Sequence, residues 1–188
     1  MAEFAPDADG GRGGVGGVRV DLTQWRWVID VYLDDLVELL GPPPDVPDHP
    51  LDALAATMND PPELPVDPVR ARLLPDGVLD DPAAAAEFRR FAQTTLLQRK
   101  HADAAALRKA AERPTVVDAA GARSLLGALN DLRLMLGTRL GVTEEGMPDG
   151  GEDLQAYHSY GLFTYLQGLL VDVLADERGG PGQGATSP

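Results

Sequence analysis

Cysteine is absent from all 188 residues, and this absence excludes several kinds of chemistry together. The chain forms no disulfide, offers no thiolate nucleophile, contains no CxxC metal site and carries no thiol redox switch. It also lacks an apolar run near the roughly 18 residues that a membrane span requires, and it does not open with the charged and apolar segments of a signal peptide. We therefore expect a cytoplasmic protein.

Basic residues are scarce as well. The chain has 16 Lys and Arg against 30 Asp and Glu, which gives a formal net charge of −14. A surface of this sign repels a phosphate backbone instead of releasing its counterions. No run of basic residues is interleaved with aromatics, and no helix carries a one-sided basic stripe. We expect no direct binding to nucleic acid.

Metal-binding and catalytic motifs are missing in turn. The histidines His49, His101 and His158 do not pair at the spacing of a helical metal site, and H-E-x-x-H, G-x-S-x-G and Walker sequences do not occur. The acidic turn at residues 142–151 lacks the register of a calcium-binding loop. The sequence therefore predicts no metal ion and no cofactor.

Acidic pairs are the remaining candidates for catalysis. Glu87 with Asp131, or Glu144 with Glu145, would serve as acid and base if folding brought them together in a pocket. Nothing in the sequence requires either pair to meet in that way. We predict a non-enzymatic protein without catalytic residues.

Glycine and proline divide the chain into segments. Residues 1–17 are predicted to be a flexible Gly-rich leader, residues 18–176 a single helical domain, and residues 177–188 a disordered tail. A proline-rich acidic loop, 41–68, lies inside the domain. The G-x-G-x-x-G match at residues 11–16 has no strand before it and no helix directly after it, so it does not indicate a nucleotide site.

Apolar residues between these stretches recur at three- and four-residue steps, which is typical of helices buried on one face. We predict a short strand at residues 18–22, a possible short helix at 51–58 inside the loop, and main helices over residues 23–40, 67–74, 83–112, 118–140 and 154–174. The fold class is thus all-α, a compact bundle of four to five main helices with a short N-terminal strand or hairpin.

Two apolar residues of the first helix, Trp27 and Val31, fall opposite its core face, where a solvated helix is usually polar. One interpretation is a second packed face beneath the following loop. The other is a contact surface for a partner protein or for a second copy of the chain.

Arginines accompany the core positions of the two central helices. Arg99 is predicted to share a face with Thr95, Ala102 and Ala106, where a buried guanidinium requires a carboxylate or helix-end carbonyls as its partner. A structural pair and a ligand clamp both satisfy that requirement. In the next helix, a leucine stripe from Leu125 to Leu140 is flanked by further arginines, whose stems lie along apolar surface.

Two motifs are more specific than any periodicity. They are Arg72-Leu-Leu-Pro-Asp76 with the Asp-Asp-Pro-Ala-Ala-Ala-Ala-Glu-Phe-Arg-Arg segment at 80–90, and Ala-Leu-Asn-Asp-Leu-Arg-Leu-Met-Leu-Gly-Thr-Arg-Leu-Gly-Val-Thr at 128–143. With the closing segment 157–174, they resemble an actinobacterial family of proteins of unknown function that includes the AosR-type oxidative-stress regulators.

The resemblance implies a cytoplasmic helical protein, encoded near the Clp adaptor ClpS and near genes for sulfur-carrier-dependent cysteine synthesis. In the regulator branch, an oxidised cysteine pair promotes association with a stress sigma factor. This chain has no cysteine, so no position inherits that switch. The helical scaffold and a surface for a protein partner remain as expectations.

The motif residues form a predicted polar seam between the two central helices, which we define as Glu87, Arg89, Arg90, Arg99, Asn130, Asp131, Arg133 and Arg139. We predict a regulatory protein, monomeric or homodimeric, that binds a protein partner such as a sigma factor or another transcription component. The alternative is an adaptor or accessory factor for Clp proteolysis or cysteine biosynthesis.

Overall fold

Five helices and three short strands make up the described part of the chain. The computed structural model describes residues 3–6, 17–44, 66–75, 81–146, 148 and 153–178, without the side chains at 3, 6, 82–83, 85–91 and 176–178. The helices are α1 (Arg26–Leu40, preceded by a 3-10 turn at Thr23–Trp25), α2 (Pro68–Leu73), α3 (Pro82–Glu112), α4 (Ala119–Arg139) and α5 (Leu154–Arg178). The strands are β1 (Glu3–Pro6), β2 (Val18–Asp21) and β3 (Thr115–Val117). The predicted helical bundle is confirmed.

Aspartates begin most of these helices. Asp67 accepts hydrogen bonds from the backbone N–H groups of Val69 and Arg70, and Pro68 occupies the first turn, where its missing N–H costs nothing. Asp118 accepts from Gly121 at 2.7 Å, and Asp153 accepts from Ala156 at 2.9 Å. Part of the acidic excess thus satisfies free N–H groups and favours the helix dipoles.

Helix α4 is the centre of the bundle, because it contacts each of the other four described helices. Its leucines at 125, 129, 132 and 136 are almost fully buried, as the sequence stripe predicts. The surrounding helices also touch one another: the rings of Tyr32 in α1 and Phe163 in α5 meet edge to face, with centroids 5.8 Å apart. None of the described helices has the length and apolar character needed to cross a bilayer.

The strands form one antiparallel sheet in the order β1-β2-β3, with Phe4 opposite Val20 and Val20 opposite Thr115. Alternate residues of β2, Val18 and Val20, point into the core. The expected flexible leader is therefore wrong for residues 3–6, since strand pairing with β2 orders them. The leader glycines at 10–16, the helix expected at 51–58 and the tail after residue 178 lie outside the described residues.

The orientation of α3 differs from the sequence expectation. Thr95 and Ala102, predicted to face the core, are exposed, while Ala104, Leu107 and Ala111 are buried. The physical reason is composition: alanines occur on every side of this helix, so its sequence does not single out one apolar face. The buried face is thus rotated from the predicted one by roughly one residue step, or about 100°, although Ala106 of the predicted face is partly buried against the core.

Two glycines provide a matched test of backbone geometry. Gly141 follows α4 with φ at 70°, whereas Gly168 lies within α5, where a Cβ atom would have no neighbour inside 4 Å. We expect Gly141→Ala to lower the free energy of unfolding by about 1 kcal/mol, because a side chain disfavours positive φ. Gly168→Ala should raise it by about 0.5–1 kcal/mol. Urea unfolding checks both signs, and equal effects would contradict the assigned geometry.

Candidate functional site

An apolar groove lies between the start of α1 and the first half of α5. We call it the Trp27 groove; its volume is about 830 Å³. Its lining consists of apolar and aromatic side chains with a few polar ones: Trp25, Trp27, Val28, Gln155, His158, Ser159, Gly161, Leu162 and Tyr165. This volume falls in the range of sites that accept several side chains or a ligand.

The apolar residues of the groove are unusually open to solvent. Trp27 is 67% exposed and Tyr165 is 51% exposed, although both carry large apolar surfaces. Val31, 39% exposed, lies one turn beyond Trp27 on α1 and outside the groove lining. Exposed apolar residues clustered in this way mark contact surfaces more often than isolated ones do. The structure therefore places Trp27 and Val31 on an open face, and no described part of the following loop covers Trp27.

Trp25 at the base of the groove has a buried indole Nε1 with no hydrogen-bond acceptor among the described residues. A buried N–H without an acceptor costs free energy, so an acceptor supplied by a bound molecule would relieve that cost.

A buried ion pair joins α3 to α4. Lys100 Nζ lies 2.6 Å from Asp131 Oδ1, and the side chains are 11% and 6% exposed. Burial raises the pKa of Asp131, because desolvation of the carboxylate outweighs the attraction of the Lys100 ammonium group. Asp131 was predicted to lie in the polar seam, but its partner Lys100 was missed.

A second acid, Asp103, lies in the same contact between α3 and α4. A Cβ added at Gly127 would meet Asp103 Oδ2 at 2.6 Å, so any larger residue there would require the Asp103 carboxylate to move. Arg99 approaches Asp103 at 3.6 Å, yet its own side chain is 68% exposed. The expectation that Arg99 lies among apolar neighbours is therefore wrong, and the buried cation is Lys100, the next residue along.

Three other predicted seam residues, Asn130, Arg133 and Arg139, make their described contacts elsewhere than between α3 and α4. Arg133 donates from Nε to Thr164 at 3.0 Å and from Nη1 to Gln167, both in α5. Arg139 pairs with Asp35 of α1 at 2.9 Å. Asn130 lines a separate cavity beside Arg133. The side chains of Glu87, Arg89 and Arg90 lie outside those described, so their place in the seam stays a prediction.

The acid pairs considered for catalysis have different surroundings. Asp131 is bound to Lys100, while Glu144 and Glu145 are exposed in the turn after α4. His158 lies in the groove lining, and His101 is half-buried in α3. Across the part of the chain that the structure describes, no three His, Cys, Asp or Glu side chains are gathered as a metal site would require.

The described part of the chain is thus a helical bundle with a small antiparallel sheet and an open apolar groove. The family described as "Domain of unknown function (DUF2017)" matches residues 1–174, so the chain belongs to this family. No curated protein and no solved structure matches the chain.

The buried pair makes a prediction about stability. Lys100→Met should lower the free energy of unfolding by about 3–5 kcal/mol, because it leaves the Asp131 carboxylate buried without a partner. The double variant Lys100→Met with Asp131→Leu should recover most of that loss, since neither charge of this pair is then left buried without its partner. Arg139→Met is the matched control, with an expected change within about 0.5 kcal/mol, because both side chains of its pair with Asp35 are more than 40% exposed. A double variant no more stable than Lys100→Met would contradict this account.

The raised pKa of Asp131 predicts a pH dependence. The folded protein holds the Asp131 proton more tightly than the unfolded chain does, so stability from this group falls as pH rises from about 3.8 to the raised pKa. In the variant Asp131→Asn, the side chain at this position has no ionisable group. The stability of the natural protein relative to Asp131→Asn should therefore decrease across that interval and then level off. Denaturant unfolding at a series of pH values measures the difference, and an increase with pH would refute the assignment.

Proposed function

We propose that this protein is a non-enzymatic, cytoplasmic regulatory protein that acts through protein–protein contacts, and that the Trp27 groove is its contact surface. The observation that carries the proposal is the exposure of Trp27 and Tyr165 over an apolar groove of about 830 Å³. Large aromatic residues in such positions provide most of the binding free energy at many protein interfaces.

The groove favours a partner segment of particular chemistry. Its floor and walls suit apolar side chains, and the buried Trp25 Nε1 favours a segment that also brings a carbonyl or another acceptor. The net charge of −14 favours a partner with basic groups. We therefore propose an amphipathic partner helix with apolar anchors and basic flanks, which the acidic surface attracts over a distance.

The resemblance to AosR-type oxidative-stress regulators supports a transcription component, such as a sigma factor, as that partner. Any response of this chain to oxidative stress must then use a signal other than thiol oxidation, because it has no cysteine. The alternative is an adaptor or accessory factor for Clp proteolysis or cysteine biosynthesis. Such a factor would use the same surface without an effect on transcription.

A pull-down of the tagged full chain from its native host, with and without peroxide, tests the proposal. We expect a sigma factor or RNA polymerase to be recovered by the natural protein and to be lost with Trp27→Asp or Val31→Asp, which place a charge on the apolar face. Val116→Asp is the matched control, because Val116 is exposed on β3, away from the groove. Thermal unfolding of all three variants checks that they remain folded.

The outcomes separate the candidates. Recovery of Clp or cysteine-pathway proteins alone, with the same dependence on Trp27, would replace the transcription role with the adaptor role. Loss of dimers in Trp27→Asp, measured by sedimentation, would assign the groove to a second copy of the chain. Partners that bind all variants equally would exclude the groove as the contact surface.

A further inference from the structure

A second cavity lies at the C-terminal end of α4, against α2 and α5. Its volume is about 480 Å³, and it shares no lining residue with the Trp27 groove. The polar part of its lining comes from Arg72, Asn130, Arg133, Thr138, Thr143 and Tyr160. The size is in the range of small-molecule sites.

The formal charges in the lining are both positive. Arg72 and Arg133 contribute them, and no Asp or Glu of the described residues belongs to the lining. Neither guanidinium forms an ion pair with a carboxylate of the described residues, although the chain has nearly twice as many acids as bases. A cavity with two arginines and no carboxylate in its lining, in a protein of this charge, is suited to an anion.

Neutral groups hold Arg133 in place without cancelling its charge. Its Nε donates to the Thr164 hydroxyl at 3.0 Å and its Nη1 to the Gln167 amide oxygen. Its guanidinium carbon lies 5.6 Å from the centroid of the Tyr160 ring. These contacts use two of the five guanidinium N–H donors, so Nη2 has no acceptor among the described residues. The charged group is pre-organised and still has donors for a ligand.

The backbone at the end of α4 fixes another part of the lining. Val142 N–H donates to the Gly137 carbonyl at 2.8 Å and Gly141 N–H to the Thr138 carbonyl at 3.2 Å, the pattern of a Schellman motif that ends α4. A Cβ at Gly137 would lie 3.2 Å from Tyr160 Cε2, so this glycine lets the ring pack closely against α4. The helix end thereby positions the ring that Arg133 stacks upon.

We propose that this cavity binds a small-molecule oxyanion, a carboxylate or a phosphate, through Arg72 and Arg133. Asn130 supplies an amide donor that has no partner among the described residues. Planar guanidinium groups suit such oxyanions because two parallel N–H donors match two oxygens. One carboxylate opposes binding: Glu145 accepts from the Thr143 hydroxyl at 3.4 Å, next to the lining.

Titration of the ¹⁵N-labelled full chain with inorganic phosphate, and separately with succinate, tests the site by NMR at constant ionic strength in chloride. We expect saturable shifts of backbone amides at 137–143, with a dissociation constant on the order of millimolar or below. Arg72→Gln and Arg133→Gln should each weaken binding about tenfold or more. Arg113→Gln, which removes an exposed charge at the end of α3, is the matched control and should leave binding unchanged.

Each outcome is decisive. Saturation by phosphate alone or by succinate alone supports the site and identifies the anion, and Glu145→Gln should then tighten binding. Absence of saturation by both, or equal weakening by Arg113→Gln, would overturn the proposal. Arg72 is exposed, so we expect Arg72→Gln to fold. This variant tests the site even if Arg133→Gln fails to fold. Trp27→Asp should not change anion binding, which separates this site from the proposed contact surface.

Discussion

The rest of the structure depends on the burial of α4 on almost all of its sides. Because α4 contacts each of the other four described helices, nearly every side chain along it must be apolar or must have a hydrogen-bonding or charged partner. Its leucine stripe meets most of that demand through the hydrophobic effect. Its one strongly buried acid, Asp131, is tolerated because Lys100 reaches it from α3 at 2.6 Å. Close packing also explains why Gly127 and Gly137 occur where neighbouring side chains approach α4.

The helices around α4 are left with surfaces that the core does not use. Arg108 joins α3 to Asp30 and Asp34 of α1, and Arg139 joins α4 to Asp35. These ion pairs are at least partly exposed and contribute little free energy, but they orient α1 beside the bundle. With α1 held in this way, its first turn and the first half of α5 form the open Trp27 groove. The arginine-lined cavity lies at the C-terminal end of α4 and has different lining residues, so the described bundle offers two surfaces, one apolar and one basic.

Helix positions could be predicted from local signals in the sequence. Features that depend on contacts between distant segments were missed. Asp67-Pro68 and Asp118 act through hydrogen bonds within one turn, so their helix starts could be predicted directly. Strand β1 was missed because its order comes from pairing with β2, across a glycine-rich segment. Lys100 was missed because alanines on several sides of the second half of α3 leave its buried face undefined, and only contact with α4 determines which side is buried. The position of Trp27 opposite the core face was enough to predict its exposure from the sequence.

The central claim is that the Trp27 groove is the surface that a partner protein covers. Hydrogen–deuterium exchange of the full chain, alone and bound to the protein recovered with it, measures this most directly. The account predicts slow exchange in α4 in both states, and new protection on binding at residues 25–31 and 155–165. Protection confined to α3 or to the sheet, with exchange at residues 25–31 unchanged, would contradict it.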